Sequence, residues 1–134
     1  MRTLILLKPD AVRRHLAGEI LARIERKGYT IDSLKMLTAS AEQLAAHYAE
    51  HVDKPFYASM AAYMSSGPIV AAVISGERVI EGVRSLSGAT DPTSAAPGTI
   101  RGDFGRDWGT EAIENLIHSS DSLESAEREI AVWF

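Results

Sequence analysis

Residues 3–7 read TLILL, four aliphatic side chains in a row behind a threonine, and Pro9 brings the run to a stop. Successive side chains of a strand point to opposite faces. An uninterrupted apolar run therefore leaves no face for water and reads as a strand buried on both sides. The stretch IVAAVIS at 69–75 has the same character and predicts another buried strand. Hiding both requires a sheet inside a core. At 134 residues the chain is expected to form one domain, spanning 1–134.

The segments between these runs carry other periods. Leu16, Ile20, Leu21 and Ile24 mark a helical stripe over 16–27 that Gly28 would end. YTIDSLKML at 29–37 reads as a strand with imperfect alternation. Ser40 and Gln43 have capping-box spacing for a helix over 41–50. Pro55 would open another helix to Met64, with Gly67 closing it. Val79, Ile80, Val83 and Leu86 share one helical face in 77–86. From Ser87 to Gly109 the chain turns irregular, with Pro92, Pro97 and five glycines, a length that compact domains reserve for function or disorder. NLIH at 115–118 predicts a short fourth strand, and Asp121 with Glu124 a capping box for a last helix to Trp133. The order matches an α+β, ferredoxin-like βαββαβ plan with one extra helix: an antiparallel four-stranded sheet with helices packed on one face.

Composition removes several kinds of function. The chain has 14 Lys and Arg against 18 Asp and Glu, a net charge of −4 that opposes dedicated nucleic-acid binding but permits a local basic pocket for a small anion. Cysteine is absent, which excludes disulfides, thiolate nucleophiles and cysteine-ligated metals. The apolar start is shorter than the roughly 7–15 residues of a signal-peptide core, and PIVAAVI falls far below the roughly 20 that span a bilayer. A cytoplasmic protein without membrane association is expected.

Neither G-x-x-x-x-G-K-[ST] nor a strand-linked G-x-G-x-x-G occurs, so a nucleotide would have to be held by side chains. Candidates sit at element ends: Lys8 after the first strand, Arg84 on the helix before the long loop, and Arg101 within PGTIRGDFG. His118 ends an apolar strand just before SSDS. Two readings are open for it. It is a core histidine satisfied by a serine or a backbone group, or a nucleophile with one nitrogen held by Glu129, two turns into the next helix, and the other free. His15, His47 and His51 fall in helical, polar surroundings and receive no role.

Four stretches, taken in order, carry a resemblance: LILLKPDAV, HYAEHVDKPFY, GATDP with APGTIRGDFG, and NLIHSSDSLESAEREI. Together they resemble nucleoside diphosphate kinases, from about Thr3 to Trp133. The resemblance implies ping-pong transfer of a γ-phosphate between nucleoside phosphates through a phosphohistidine at His118. It further implies that Asn115 contacts the sugar and Lys8 both phosphate and ribose. Tyr48, Arg84, Thr90 and Arg101 would bind phosphate, Phe56 would stack on the base, and Ser120 and Glu129 would orient the histidine. Mg²⁺ is implied as cofactor, held mainly by the nucleotide phosphates with no protein metal site. A homo-oligomer is implied too, a hexamer favoured over a tetramer.

The chain departs from the family pattern at three places. Asp91 stands where Asn is commoner, and Ser119 where HGSDS is usual. GRDWGTEAIE, between Phe104 and Asn115, is about four residues longer than in most members, an extension that loops tolerate cheaply. The second base contact then falls on Ala112 or Ile113. Two rival readings are a non-catalytic nucleotide sensor and a protein-histidine phosphocarrier; the carrier would not need Phe56 as a base platform. Arg101→Ala is expected to slow transfer and leave the fold intact.

Overall fold

The computed structural model describes residues 1–110 and 113–134. Along the chain run β1 (Arg2–Leu7), α1 (Pro9–Arg13), α2 (Ala17–Arg26), β2 (Thr30–Leu37), α3 (Ala41–His47) and α4 (Tyr57–Met64). There follow β3 (Ile69–Ser75), α5 (Val79–Ser87), α6 (Ile100–Phe104), β4 (Ile117–Ser119) and α7 (Leu123–Trp133). The sheet order is β2-β3-β1-β4 with every neighbouring pair antiparallel, the ferredoxin-like α+β arrangement expected from the element order. The short helices α1 and α6 were not anticipated.

Helices cover both faces of this sheet, which corrects the one-face expectation. The reason lies in β1 and β3, whose side chains are apolar on both sides. Ile5 and Leu7 point into one core with Ala72 and Ile74, covered by Ile20 and Ile24 of α2 and Val79 and Val83 of α5. Leu4 and Leu6 point into the other with Ala71 and Val73, covered by Leu44 of α3, Met64 of α4, and Ile130 and Trp133 of α7. Each fully buried large side chain stabilises the fold by about 1.5–3 kcal/mol, so neither face is dispensable.

Local signals set the helix ends. Ser40 and Gln43 make both arms of the capping box on α3, which stops at His47, short of residue 50. The last helix is capped by Ser122, whose Oγ accepts from the Ser125 amide, one residue later than the Asp121 expected from spacing. Among the described residues no helix is long and apolar enough to cross a membrane.

Strand pairing decides which way the site residues point. Leu6 pairs with His118 and Leu7 with Ile117. Cross-strand partners share a face, so His118 is turned toward the α3 and α7 side while Ile117 enters the opposite core.

Candidate active site

Lys8 leaves β1 with its backbone amide donating to the Leu116 carbonyl at 2.8 Å, and Pro9 opens α1 directly behind it. Its Nζ donates to Asn115 Oδ1 at 2.8 Å, and Asn115 Nδ2 donates to the Thr90 carbonyl at 3.1 Å. Three candidates far apart in sequence thus share one hydrogen-bonded chain. Between Asn115 and β4, Leu116 adopts a left-handed backbone with φ 72. That conformation costs a non-glycine residue about 1–2 kcal/mol, and it is held by a hydrogen bond from the Leu116 amide to buried Asp10 Oδ2 at 3.1 Å. The turn lets Asn115 reach Lys8 while Ile117 enters the core.

Burial, and then the charge of Arg101, pull the Lys8 ammonium down to about 8, against the pull of Asp10. Arg101 sits in α6, whose Thr99 side chain caps the Gly102 amide. Its guanidinium donates to the carbonyls of Gly88 at 2.9 Å, Asn115 at 3.2 Å and Ile117 at 2.5 Å. Gly88 has φ 85, and a Cβ there would lie 2.4 Å from Thr99 Oγ1, so a side chain would disrupt this junction. Burial and the Arg84 charge bring Arg101 down to about 10, still cationic near neutrality. Arg84 is exposed and its Nη1 lies 3.5 Å from the Ser119 carbonyl. Arg101 thus ties three segments of the chain together.

His118 Nε2 lies 2.7 Å from Glu129 Oε1, and Ser120 Oγ donates to the same oxygen at 2.8 Å. Burial pushes the Glu129 carboxyl up, but the hydrogen bond and charge of His118 prevail and hold it below the usual carboxylate value. A carboxylate only accepts, so Nε2 carries a proton, and in the neutral ring Nδ1 is the nitrogen that holds the lone pair. The His118 side chain is 23% exposed, at the floor of an opening about 300 Å³ in volume that Tyr48, His51 and Asp121 also line. That exposure removes the core-histidine reading.

Tyr48 also borders a larger cleft of about 620 Å³, whose lining includes Lys8, Phe56 and Ile113. Burial pushes the Tyr48 hydroxyl up to about 12, so it remains a donor at working pH. Phe56 is 49% exposed and leaves its ring available to a flat ligand. Of the two candidates for a second base contact, Ile113 lines this cleft and Ala112 lies outside the described residues. The longer segment is closed by a bridge between Arg106 and Glu114, and Glu114 also accepts from Trp108 Nε1 at 2.9 Å and Arg13 at 2.6 Å. Asp91 accepts from the Thr93 amide at 3.0 Å and the Ser94 hydroxyl at 2.8 Å, folding its own turn. Ser119 lies in the extended β4 opposite Ile5, where no glycine is needed.

His47 was missed. It is 4% exposed, its ring centroid is 4.6 Å from that of His118 at 80°, and its Nδ1 accepts from Trp133 Nε1 at 3.0 Å. The available signal was its spacing: His47 follows Leu44 by three residues and shares the buried stripe of α3.

A family model described as nucleoside diphosphate kinase matches residues 1–134. A curated nucleoside diphosphate kinase of Rhodococcus erythropolis is 59% identical over 134 residues, covering 99% of this chain and 94% of that protein. One of Mycobacterium tuberculosis is 57% identical, covering 99% and 96%. Among solved structures, a halophilic nucleoside diphosphate kinase from Halobacterium salinarum in complex with CDP matches with a TM-score of 0.92 at 46% identity, covering 100% of this chain and 87% of that one. The Aquifex aeolicus enzyme matches with a TM-score of 0.91 at 43% identity, covering 99% and 94%. Sequence and fold agree, and the chain belongs to the nucleoside diphosphate kinase family.

Proposed function

We propose that the chain transfers the γ-phosphate of a nucleoside triphosphate to a nucleoside diphosphate through a phosphohistidine at His118. The observation that carries this reading is the placement of the His118 ring: Nε2 lies 2.7 Å from Glu129 Oε1, which leaves Nδ1 as the nitrogen for attack. Nδ1 attacks the terminal phosphorus. An N–P bond forms as the bond to the bridging oxygen breaks, and that oxygen leaves with the electron pair on the nucleoside diphosphate. No proton moves. The ring becomes cationic, and the buried Glu129 carboxylate compensates the new charge. A second diphosphate then reverses the step.

The transition state is loose, so the remaining residues position groups and neutralise charge. Lys8, Arg84 and Arg101 supply cations, Tyr48 a hydroxyl donor, and Thr90 and Asn115 polar contacts to phosphate and sugar. Ser120 assists Glu129 in orienting the ring. Phe56 takes the face of a base in the cleft that Ile113 also lines, a contact that would not distinguish one base from another.

Mg²⁺ is a hard ion that binds oxygen, and the cationic groups around the phosphate region offer it no ligands. It fits as an ion carried on the nucleotide phosphates, where it would neutralise charge on the transferring group.

The exposed β2 edge, with Leu34 52% and Met36 61% accessible, supports assembly into a homo-oligomer; the preference for a hexamer over a tetramer rests on the family resemblance alone. Light scattering that finds a monomer at micromolar concentration would refute this. We place the enzyme in the cytoplasm, with no nucleic-acid or membrane partner.

The test is labelling with γ-labelled ATP and Mg²⁺, followed by GDP or CDP. The chain should take up acid-labile label and pass it to the diphosphate, and His118→Ala should take up none. An unlabelled wild type, or label that no diphosphate removes, refutes the proposal.

A further inference from the structure

The ligand atoms of His47, His118 and Glu129 all lie within 4.8 Å of one another. Two imidazoles and a carboxylate are a known zinc-binding set when a fourth position is left to water. Capture of such an ion would consume the lone pair that His118 needs. The cluster thus poses a hazard to the nucleophile, and the neighbouring side chains counter it.

Trp133 follows Glu129 by one turn of α7 and donates its indole N–H to His47 Nδ1 at 3.0 Å. An indole nitrogen only donates, so the imidazole nitrogen facing it must keep its lone pair directed at Trp133. An imidazole that accepts at Nδ1 is unprotonated there and is therefore a neutral ring. A neutral ring carries one proton, which must then sit on Nε2. One nitrogen is engaged and the other protonated, so His47 has no lone pair for a metal. To ligate at Nε2 it would have to carry its proton on Nδ1, against the indole N–H. Turning the ring over would leave that buried N–H unpaired. Either arrangement weakens binding by roughly ten- to a hundred-fold.

We propose that Trp133 is a positioning residue that fixes the tautomer of His47 and so prevents the His47–His118–Glu129 triplet from capturing a divalent transition metal such as Zn²⁺. Its benefit rests on the reading of His118 as the nucleophile; the metal exclusion itself does not.

The test measures Zn²⁺ affinity of the full chain by competition with a chromophoric chelator, without nucleotide. Trp133→Phe removes the donor and leaves space for a water to accept from Nδ1–H. It should bind Zn²⁺ at least tenfold more tightly than wild type, and Trp133→Phe with His47→Gln should lose the gain. Equal affinity of wild type and Trp133→Phe, within threefold, overturns the proposal. So does submicromolar binding by wild type that His47→Gln abolishes. Nitrogen-15 NMR of the wild-type ring needs no variant: Nδ1 should have an unprotonated shift and Nε2 a protonated one, and the reverse overturns the proposal. Zinc affinity is read without turnover, so a wild type that ATP cannot label would refute the proposed function and leave this inference standing.

Discussion

Glu129→Gln separates the chemistry at His118 from its geometry. Glutamine has nearly the shape of glutamate and its oxygen can still accept from His118 Nε2, which lies 2.7 Å from Glu129 Oε1. What disappears is the negative charge, at a side chain only 6% exposed. In the phosphorylated state the ring is cationic. Two opposite charges about 4 Å apart at an effective dielectric near 20 attract by about 4 kcal/mol, an upper bound. The net value of a hydrogen bond to a charged group is about 1.5–3 kcal/mol. At about 1.4 kcal/mol per tenfold, phosphorylation should slow by roughly 10- to 150-fold. Stability at neutral pH should fall modestly, because the folded-state carboxyl is held below its ordinary value and its ionised form therefore favours the fold. Rapid-quench single turnover with γ-labelled ATP measures the rate, equilibrium dialysis the nucleotide affinity, and a thermal melt the fold. A rate within threefold of wild type, with affinity and melting unchanged, would refute the assignment of Glu129 as the counter-charge.

Other perturbations test the rest of the site. Lys8 is a cation below about 8 and an amine above it, so ADP affinity, measured calorimetrically, should weaken as pH rises through that value; Lys8→Met should bind weakly at neutral pH and lack the decline. Arg101→Ala removes donors to three carbonyls, each worth about 1 kcal/mol, and should lower unfolding free energy by about 2–4 kcal/mol in urea melts as well as slowing transfer. An unchanged midpoint would contradict that structural role. Phe56→Ala should raise KM for purine and pyrimidine substrates alike, since stacking is worth about 1–3 kcal/mol for any base; a selective effect on one base would count against the open platform.

Much of this protein is encoded locally. TLILL and IVAAVIS declare strands with no wet side, the Ser40–Gln43 pair starts α3, and the ordered stretches around Lys8, Arg101 and His118 carry the resemblance to a family. These features depend on neighbours a few residues apart, and periodicity reports them directly. The nature of His47 was not legible in that way, because a histidine in a polar helix looks solvated until Trp133 of α7 and His118 of β4 close over it. Arg101 likewise reads as a loop cation, and only the folded chain brings three carbonyls within its reach. Even the both-sided character of β1 was visible while its consequence, helices on two faces, was not. A strand's pattern states that both faces are buried, and antiparallel pairing in the order β2-β3-β1-β4 decides which elements bury them.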